Sequence, residues 1–165
     1  RALPVLREIL GTTVSFAADV PSIAGALAAA LRAVPEAVAV LETPDAGLQG
    51  ARNVSDQAAQ VLRDSGHGLV LQAKGLNTAT ALAAREGVPA ATVFKDFDGD
   101  GQDPRAIRRF LDGAAFRARQ DGAVVMMGRL TADTLSALLL WGLQDRASQV
   151  ALVPVSVVLR EAAGL

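Results

Sequence analysis

Residues Thr92–Leu111 read TVFKDFDGDGQDPRAIRRFL, and the order of characters in this stretch decides the fold. A short apolar strand, Ala91–Phe94, runs into an acidic turn, after which Asp103 and Pro104 open a helix. Aspartate is a favoured N-cap, and proline suits the first helical position, where its missing N–H is no loss. Ile107, Phe110, Leu111, Ala114, Ala115 and Ala118 then recur at three- and four-residue spacing, while Arg105, Arg108, Asp112 and Arg119 fall largely on the other side. Gly122 breaks the helix. Strand, polar turn and amphipathic helix in that order make one β/α unit, with its polar residues where α/β folds place their chemistry.

The same unit repeats outward in both directions. Upstream, Leu3–Leu10 reads as the end of a helix stopped by Gly11, Thr13–Ala17 as a strand, and Pro21 as the opening of a helix to about Ala33. Ala37–Leu41 reads as a strand and Glu42–Arg52 as a loop. Asn53 or Ser55 is expected to cap a helix with the stripe Val54, Ala58, Val61 and Leu62, ended by Gly66. Gly68–Leu71 is the next strand, and Asn77 caps Thr78–Glu86, which Gly87 closes. Downstream, Ala123–Met127 is a strand. Thr131 caps a helix carrying Leu135, Leu138, Leu139, Leu140 and Trp141, apolar nearly all round and so either deeply packed or facing a partner. Gln149–Val153 is expected as the last strand, with a short helix after Pro154.

Strands begin every 23 to 32 residues and are continuous apolar runs, the pattern of a parallel sheet covered by helices. The fold class is α/β, either a parallel β/α barrel-like domain or an open doubly wound sheet, and periodicity alone does not decide between them. No linker divides residues 1–165, which read as one domain. The chain opens on a helix and on Arg1, so the barrel is expected to enter mid-pattern and be incomplete at its N-terminus.

Composition narrows the function. At 165 residues, 51% hydrophobic and 20% charged, the chain can bury a core; its net charge of −1 gives no electrostatic footprint for nucleic acid. With no cysteine, thiolate chemistry and cysteine zinc sites are excluded. The longest uncharged run, Ala147–Leu159, is 13 residues and contains Pro154, short of the ~20 that span a bilayer. The single histidine, His67, rules out a histidine triad or a two-histidine metal site within this chain and reads as a turn residue after Gly66. Among the few aromatic residues, Phe97 is the candidate ring for stacking on a sugar, and Trp141 is expected to pack in its leucine-rich helix.

At the carboxyl ends of the strands stand Asp19, then Glu42 and Asp45, Gln72 and Lys74, Lys95 and Asp96, Arg129 and Ser156. The candidate pocket is Asp19, Glu42, Asp45, Gln72, Asp96 and Arg129, with Arg129 the foremost; no complete catalytic set is present. Asp96, Asp98, Asp100 and Gly101 match positions 1, 3, 5 and 6 of a calcium loop, but Ile107 occupies the twelfth position, where a bidentate glutamate belongs. The turn therefore reads as a solvated loop and helix cap. A nucleotide loop is discarded, because Pro104 replaces the third glycine and the aspartates repel a pyrophosphate.

These residues together resemble the divergent polysaccharide deacetylases, a branch of the β/α-barrel carbohydrate esterases. Ile23–Ala33 followed by Val34-Pro35-Glu36-Ala37-Val38 looks like that family's helix, V-P-x-A-V turn and strand. Val93-Phe94-Lys95-Asp96 looks like its V-F-L-D strand end, Asp103-Pro104 with Ile107 like its D-P-x-x-I helix start, and Leu152-Val153-Pro154-Val155-Ser156 like its closing L-V-P-V-S. The resemblance covers about Val14 to Leu159. It implies a barrel that uses a divalent metal such as zinc to activate water against an acetamide.

The departures fall on the chemistry. The family's N-H-M-G-S loop reads Leu41-Glu42-Thr43-Pro44-Asp45 here, with the histidine position at about Thr43; its F-L-D-S reads Val70-Leu71-Gln72-Ala73; its G-H-P reads Gly128-Arg129-Leu130. Of the acids the resemblance assigns to the site, only Asp96 carries over. The expectation is a deacetylase-like protein without hydrolysis or a bound cofactor, in which Arg129 fills the metal position and pairs with a carboxylate such as Glu42 or Asp45. It would bind a glycan or protein partner, in the bacterial periplasm or envelope by resemblance alone. The competing expectations are an active metal-dependent deacetylase using upstream aspartates, and an interaction module using the Leu135–Leu143 helix.

Overall fold

Glycines at helix ends set where each strand can begin. Gly66 and Gly87 adopt left-handed φ of 74° and 72°, which costs glycine little and other residues more. Each closes a helix by the same pair of bonds: Gly66 N–H to Arg63 O and His67 N–H to Leu62 O, and Gly87 N–H to Ala84 O and Val88 N–H to Ala83 O. The chain is thereby turned straight into an apolar strand.

A computed structural model describes residues 20–44, 47–74 and 78–164. Their elements are α1 (Val20–Ala33), β1 (Ala39–Leu41), α2 (Arg52–Ser65), β2 (Gly68–Leu71), α3 (Thr78–Arg85), β3 (Ala90–Asp96), α4 (Pro104–Asp121), β4 (Val125–Met127), α5 (Ala132–Gly142), a 3-10 turn (Ala147–Gln149) and α6 (Val155–Ala162). The strand order is β1-β2-β3-β4, and β1 with β2 and β3 with β4 pair in parallel. A doubly wound sheet reverses its strand order at a switch point. Among the described residues no reversal occurs, so the α/β fold is of the barrel-like kind. The expected helix Leu3–Leu10, the strand Thr13–Ala17 and the Asn77 cap lie outside the described residues.

The described residues form two compact units. One ends at Ala91 and takes in the chain again from Leu159; the other runs Thr92–Val158. The first is built on Ile23, Leu27 and Leu31 of α1, Val54, Ala58 and Leu62 of α2, Leu69 and Leu71 of β2, and Ala83 of α3. Gly68 is required there, since a Cβ would lie 2.7 Å from Leu159 Cδ1 and 3.1 Å from the Pro89 carbonyl. The second unit packs Ile107, Leu111 and Ala115 of α4 against Ala137 and Trp141 of α5, with Phe97 between strand and helix. Burying a side chain such as Ile107, fully enclosed here, contributes about 1.5–3 kcal/mol.

Three expectations need correction. First, neither Asn53 nor Ser55 caps α2: the N-cap is Ala51, without a side-chain bond, because the Ser55 hydroxyl donates to Leu48 O at 2.6 Å and ties down the preceding loop. Second, β1 and β4 are three residues each, and β3 extends to Asp96; Ala37 N–H is drawn into a turn on Val34 O. Third, Gln149–Val153 is not a strand. Successive i to i+3 bonds, Ala147 N–H to Gln144 O, Gln149 N–H to Arg146 O and Val150 N–H to Ala147 O, coil its start, and Leu152 and Val153 stay exposed. The leucine-rich α5, read as either deeply packed or facing a partner, buries Ala137 and Trp141 and turns Leu135, Leu139 and Leu140 outward.

Candidate active-site cluster

In the second unit, strand alternation assembles an ion cluster. Asp96 ends β3 opposite Met127, and Phe97 N–H continues the pairing to Met127 O at 3.0 Å. Successive side chains on an extended chain point to opposite faces, so Asp96 and Asp98 share a side and Phe97 points the other way, into the core. Phe97 can do so because Gly128 has no side chain: a Cβ there would run into the Phe97 ring. Gly99 likewise leaves room for the Asp96 carboxylate, whose Oδ2 would sit 2.6 Å from an added Cβ.

Arg129, one residue beyond Gly128, closes over both acids. Its Nη1 and Nη2 donate to the two Asp96 oxygens at 3.0 Å each, the bidentate match of a planar fork to a carboxylate. Nη1 also donates to Asp98 Oδ1 at 2.8 Å. The other Asp98 oxygen accepts the Arg129 amide at 2.6 Å and the Thr134 hydroxyl at 2.6 Å. Thr134 receives a hydroxyl contact from Thr131, the N-cap of α5. Asp98 therefore anchors the loop after β3 to the first turn of α5. The Asp98 side chain is 5% exposed and that of Arg129 49%, so the acid is the inner member and the cation the lid.

Burial by itself pushes the Asp98 carboxyl up. The Thr134 hydroxyl, the Arg129 amide and the Arg129 guanidinium outweigh it and hold Asp98 below the usual carboxylate range. The hydrogen bonds that Arg129 donates to Asp96, then to Asp98, raise its guanidinium above its ordinary value.

In the first unit a carboxylate is clamped, among the described residues, by neutral donors. Glu42 follows β1, and its N–H extends the ladder to Val70 O at 2.8 Å. Its Oε2 accepts the Gln72 amide at 3.0 Å and Gln49 Nε2 at 2.6 Å, and its Oε1 accepts the Gln49 amide at 3.1 Å. Gln72 Nε2 returns a bond to Glu42 O at 2.8 Å. Both Glu42 and Gln72 are buried, and these contacts fasten the loop after β1 to the end of β2.

Of the candidate pocket residues, the structure thus joins Glu42 to Gln72 and Asp96 to Arg129. The carboxylates that Arg129 pairs with are Asp96 and Asp98, not Glu42. Asp19 and Asp45 lie outside the described residues. Lys74 donates to Pro44 O, Lys95 stands 4.5 Å over the Phe110 ring, and Ser156 lies in α6. His67 is the turn residue after Gly66, its ring 3.0 Å from the Ser65 hydroxyl. Phe97 is corrected: as a buried ring under Gly128 it offers no platform to a sugar. Thr134 and Gln49 are absent from the sequence reading, and Asp98 enters it only as a calcium-loop position. Only Asp98 carried a signal, as an acid two residues past a strand-end acid.

A divalent ion needs carboxylate or imidazole lone pairs converging on an empty point. Here each oxygen of Asp96 and Asp98 already accepts a hydrogen bond, and a fixed guanidinium charge occupies the space between them. These residues do not fit such an ion. Among the described residues, no group of three or more His, Cys, Asp or Glu side chains is placed to hold a metal. Asp100 is engaged locally with Gln102, apart from Asp96 and Asp98, so the calcium-loop spacing does not produce a ligand set. Among the same residues, no helix is long and apolar enough to cross a membrane.

No curated protein and no solved structure matches this chain significantly. A sequence model of the divergent polysaccharide deacetylases matches it over residues 12–159. The match covers most of the chain, the α/β fold accords with it, and the chain belongs to the divergent polysaccharide deacetylase family.

Proposed function

We propose that this deacetylase-family domain has given up metal-dependent hydrolysis and acts by binding a glycan or protein partner in the bacterial envelope. The observation that carries the reading is the Arg129 clamp. A guanidinium within 3.0 Å of both Asp96 and Asp98 stands where the family pattern has a histidine. A water-activating ion and a fixed cation compete for the same carboxylates, and the cation is covalently attached. The envelope location is supported only by the resemblance to a family named for polysaccharide deacetylation.

The test pairs two measurements. Protein purified without chelator is expected to carry no stoichiometric zinc. It is also expected to release no acetate from acetylated oligosaccharides, with or without added zinc or cobalt. Metal-stimulated acetate release would overturn the reading in favour of an active deacetylase drawing on acids outside this cluster.

A second reading, the interaction module, has its own observation. Leu135, Leu139 and Leu143 follow one another at four-residue spacing and are 44%, 72% and 85% exposed. Light scattering decides whether the chain joins itself: a 17.0 kDa species supports the glycan reading, and a multiple of it supports the leucine stripe as an interface.

A further inference from the structure

Asp112, Ala115, Phe116 and Arg119 stand at i, i+3, i+4 and i+7 of α4 and so form one stripe. The 3-10 turn that replaces the expected strand sets Arg146 and Gln149 against that stripe. Together they line an open groove of about 410 Å³, within the size range of small-molecule sites. Its base is Ala115, and its wall is the Phe116 ring, which is 62% exposed.

The polar groups are held in place but not used up. Arg119 Nη1 donates to Gln149 Oε1 at 2.6 Å, and Arg146 Nη1 to Asp112 Oδ2 at 2.9 Å. The Trp141 indole N–H fixes the other Asp112 oxygen at 3.1 Å. A guanidinium carries five N–H donors, and these contacts use one from each arginine. Two guanidiniums against one carboxylate leave the groove a net positive charge in a chain of net charge −1.

We propose that this groove binds a sugar ring bearing a carboxylate, a uronic-acid unit of an acidic glycan. The apolar face of the ring lies on Phe116, the carboxylate meets Arg119 and Arg146, and the hydroxyls, which both donate and accept, meet Asp112 and Gln149. A neutral sugar leaves the positive charge unanswered, and Asp112 repels a ligand of several phosphates. The groove is separate from the Asp96–Arg129 cluster, so hydrolysis found at that cluster would leave this proposal standing.

The test is an NMR titration of the isotope-labelled chain with trigalacturonate, its methyl ester and a hexaglutamate peptide. Trigalacturonate is expected to shift the Phe116, Arg119 and Gln149 amides saturably, and to do so less as salt rises. The methyl ester is expected to bind about tenfold more weakly. Phe116→Ala and Arg119→Gln each remove an exposed side chain, and each is expected to weaken trigalacturonate about tenfold at an unchanged melting temperature. Should one variant fail to fold, the other carries the test. The absence of a saturable shift, equal binding of the ester, or undiminished binding by a folded variant would overturn the proposal. Peptide binding at these amides as tight as that of trigalacturonate would also overturn it and assign the groove to an acidic protein segment.

Discussion

Two parallel strand pairs end in two different solutions to one problem. After β1 and β2, Glu42 is buried and held by the amides of Gln49 and Gln72. After β3 and β4, Asp96 and Asp98 are held by the Arg129 guanidinium. In both, an acid past one strand bridges to the residue past its neighbour and ties the loops together. The amide clamp uses several neutral donors under cover from water; the guanidinium clamp uses one charge half open to it. Neutral donors hold a carboxylate through geometry, whereas a cation holds it through charge and so couples it to salt and pH.

The variants that break this comparison differ in size. Glu42→Ala has the largest expected effect, about 3 kcal/mol lost in urea unfolding, because it strands several buried N–H donors. Glu42→Gln should recover part of it. Gly128→Ala comes next, at about 2 kcal/mol, since the new methyl meets the Phe97 ring and the core must shift. Arg129→Leu should cost about 1.5 kcal/mol at neutral pH: Asp98 becomes a covered anion without its cation, discounted because Arg129 is half exposed.

That third variant also separates the clamps by pH. Asp98 is lowered from 3.8 in the folded chain, so its contribution is complete above the unfolded value and is lost as pH falls through the lower folded one. The difference between wild type and Arg129→Leu should therefore shrink as unfolding is followed from pH 5 to below 3.8. A difference that stays constant would mean the guanidinium acts by packing alone. Thr134→Val is expected to cost about 1 kcal/mol by removing one donor to Asp98. Asp103→Ala, which removes the α4 cap bond to the Ala106 amide at 2.7 Å, should have the smallest effect of the series on urea unfolding and leave both clamps intact.

What the sequence made legible was local. The Asp103–Pro104 opening of α4, the Gly66 and Gly87 stops and the Thr131 cap depend on neighbours a few residues away, and all occur as read. The spacing of the strands showed a parallel sheet covered by helices, and the barrel-like choice came from the family resemblance. What stayed hidden depends on distant partners. Ser55 was free to cap α2 but bonds the Leu48 carbonyl instead, and Gln149–Val153 has strand-forming residues whose first donors are spent on a 3-10 turn. In the cluster, Asp96 and Arg129 could be named because strand ends are countable. Thr134 could not, because its bond to Asp98 spans 36 residues.

The Asp98 anchor bears on how such a domain can change over generations. Its carboxylate fastens the start of α5, and the arginine that answers its charge is woven into that fastening. Exchanging Arg129 for histidine would remove the guanidinium and unseat the acid beneath it. On the function proposed above, a route back toward metal chemistry runs through a weaker fold, and several positions would have to move together before anything was gained.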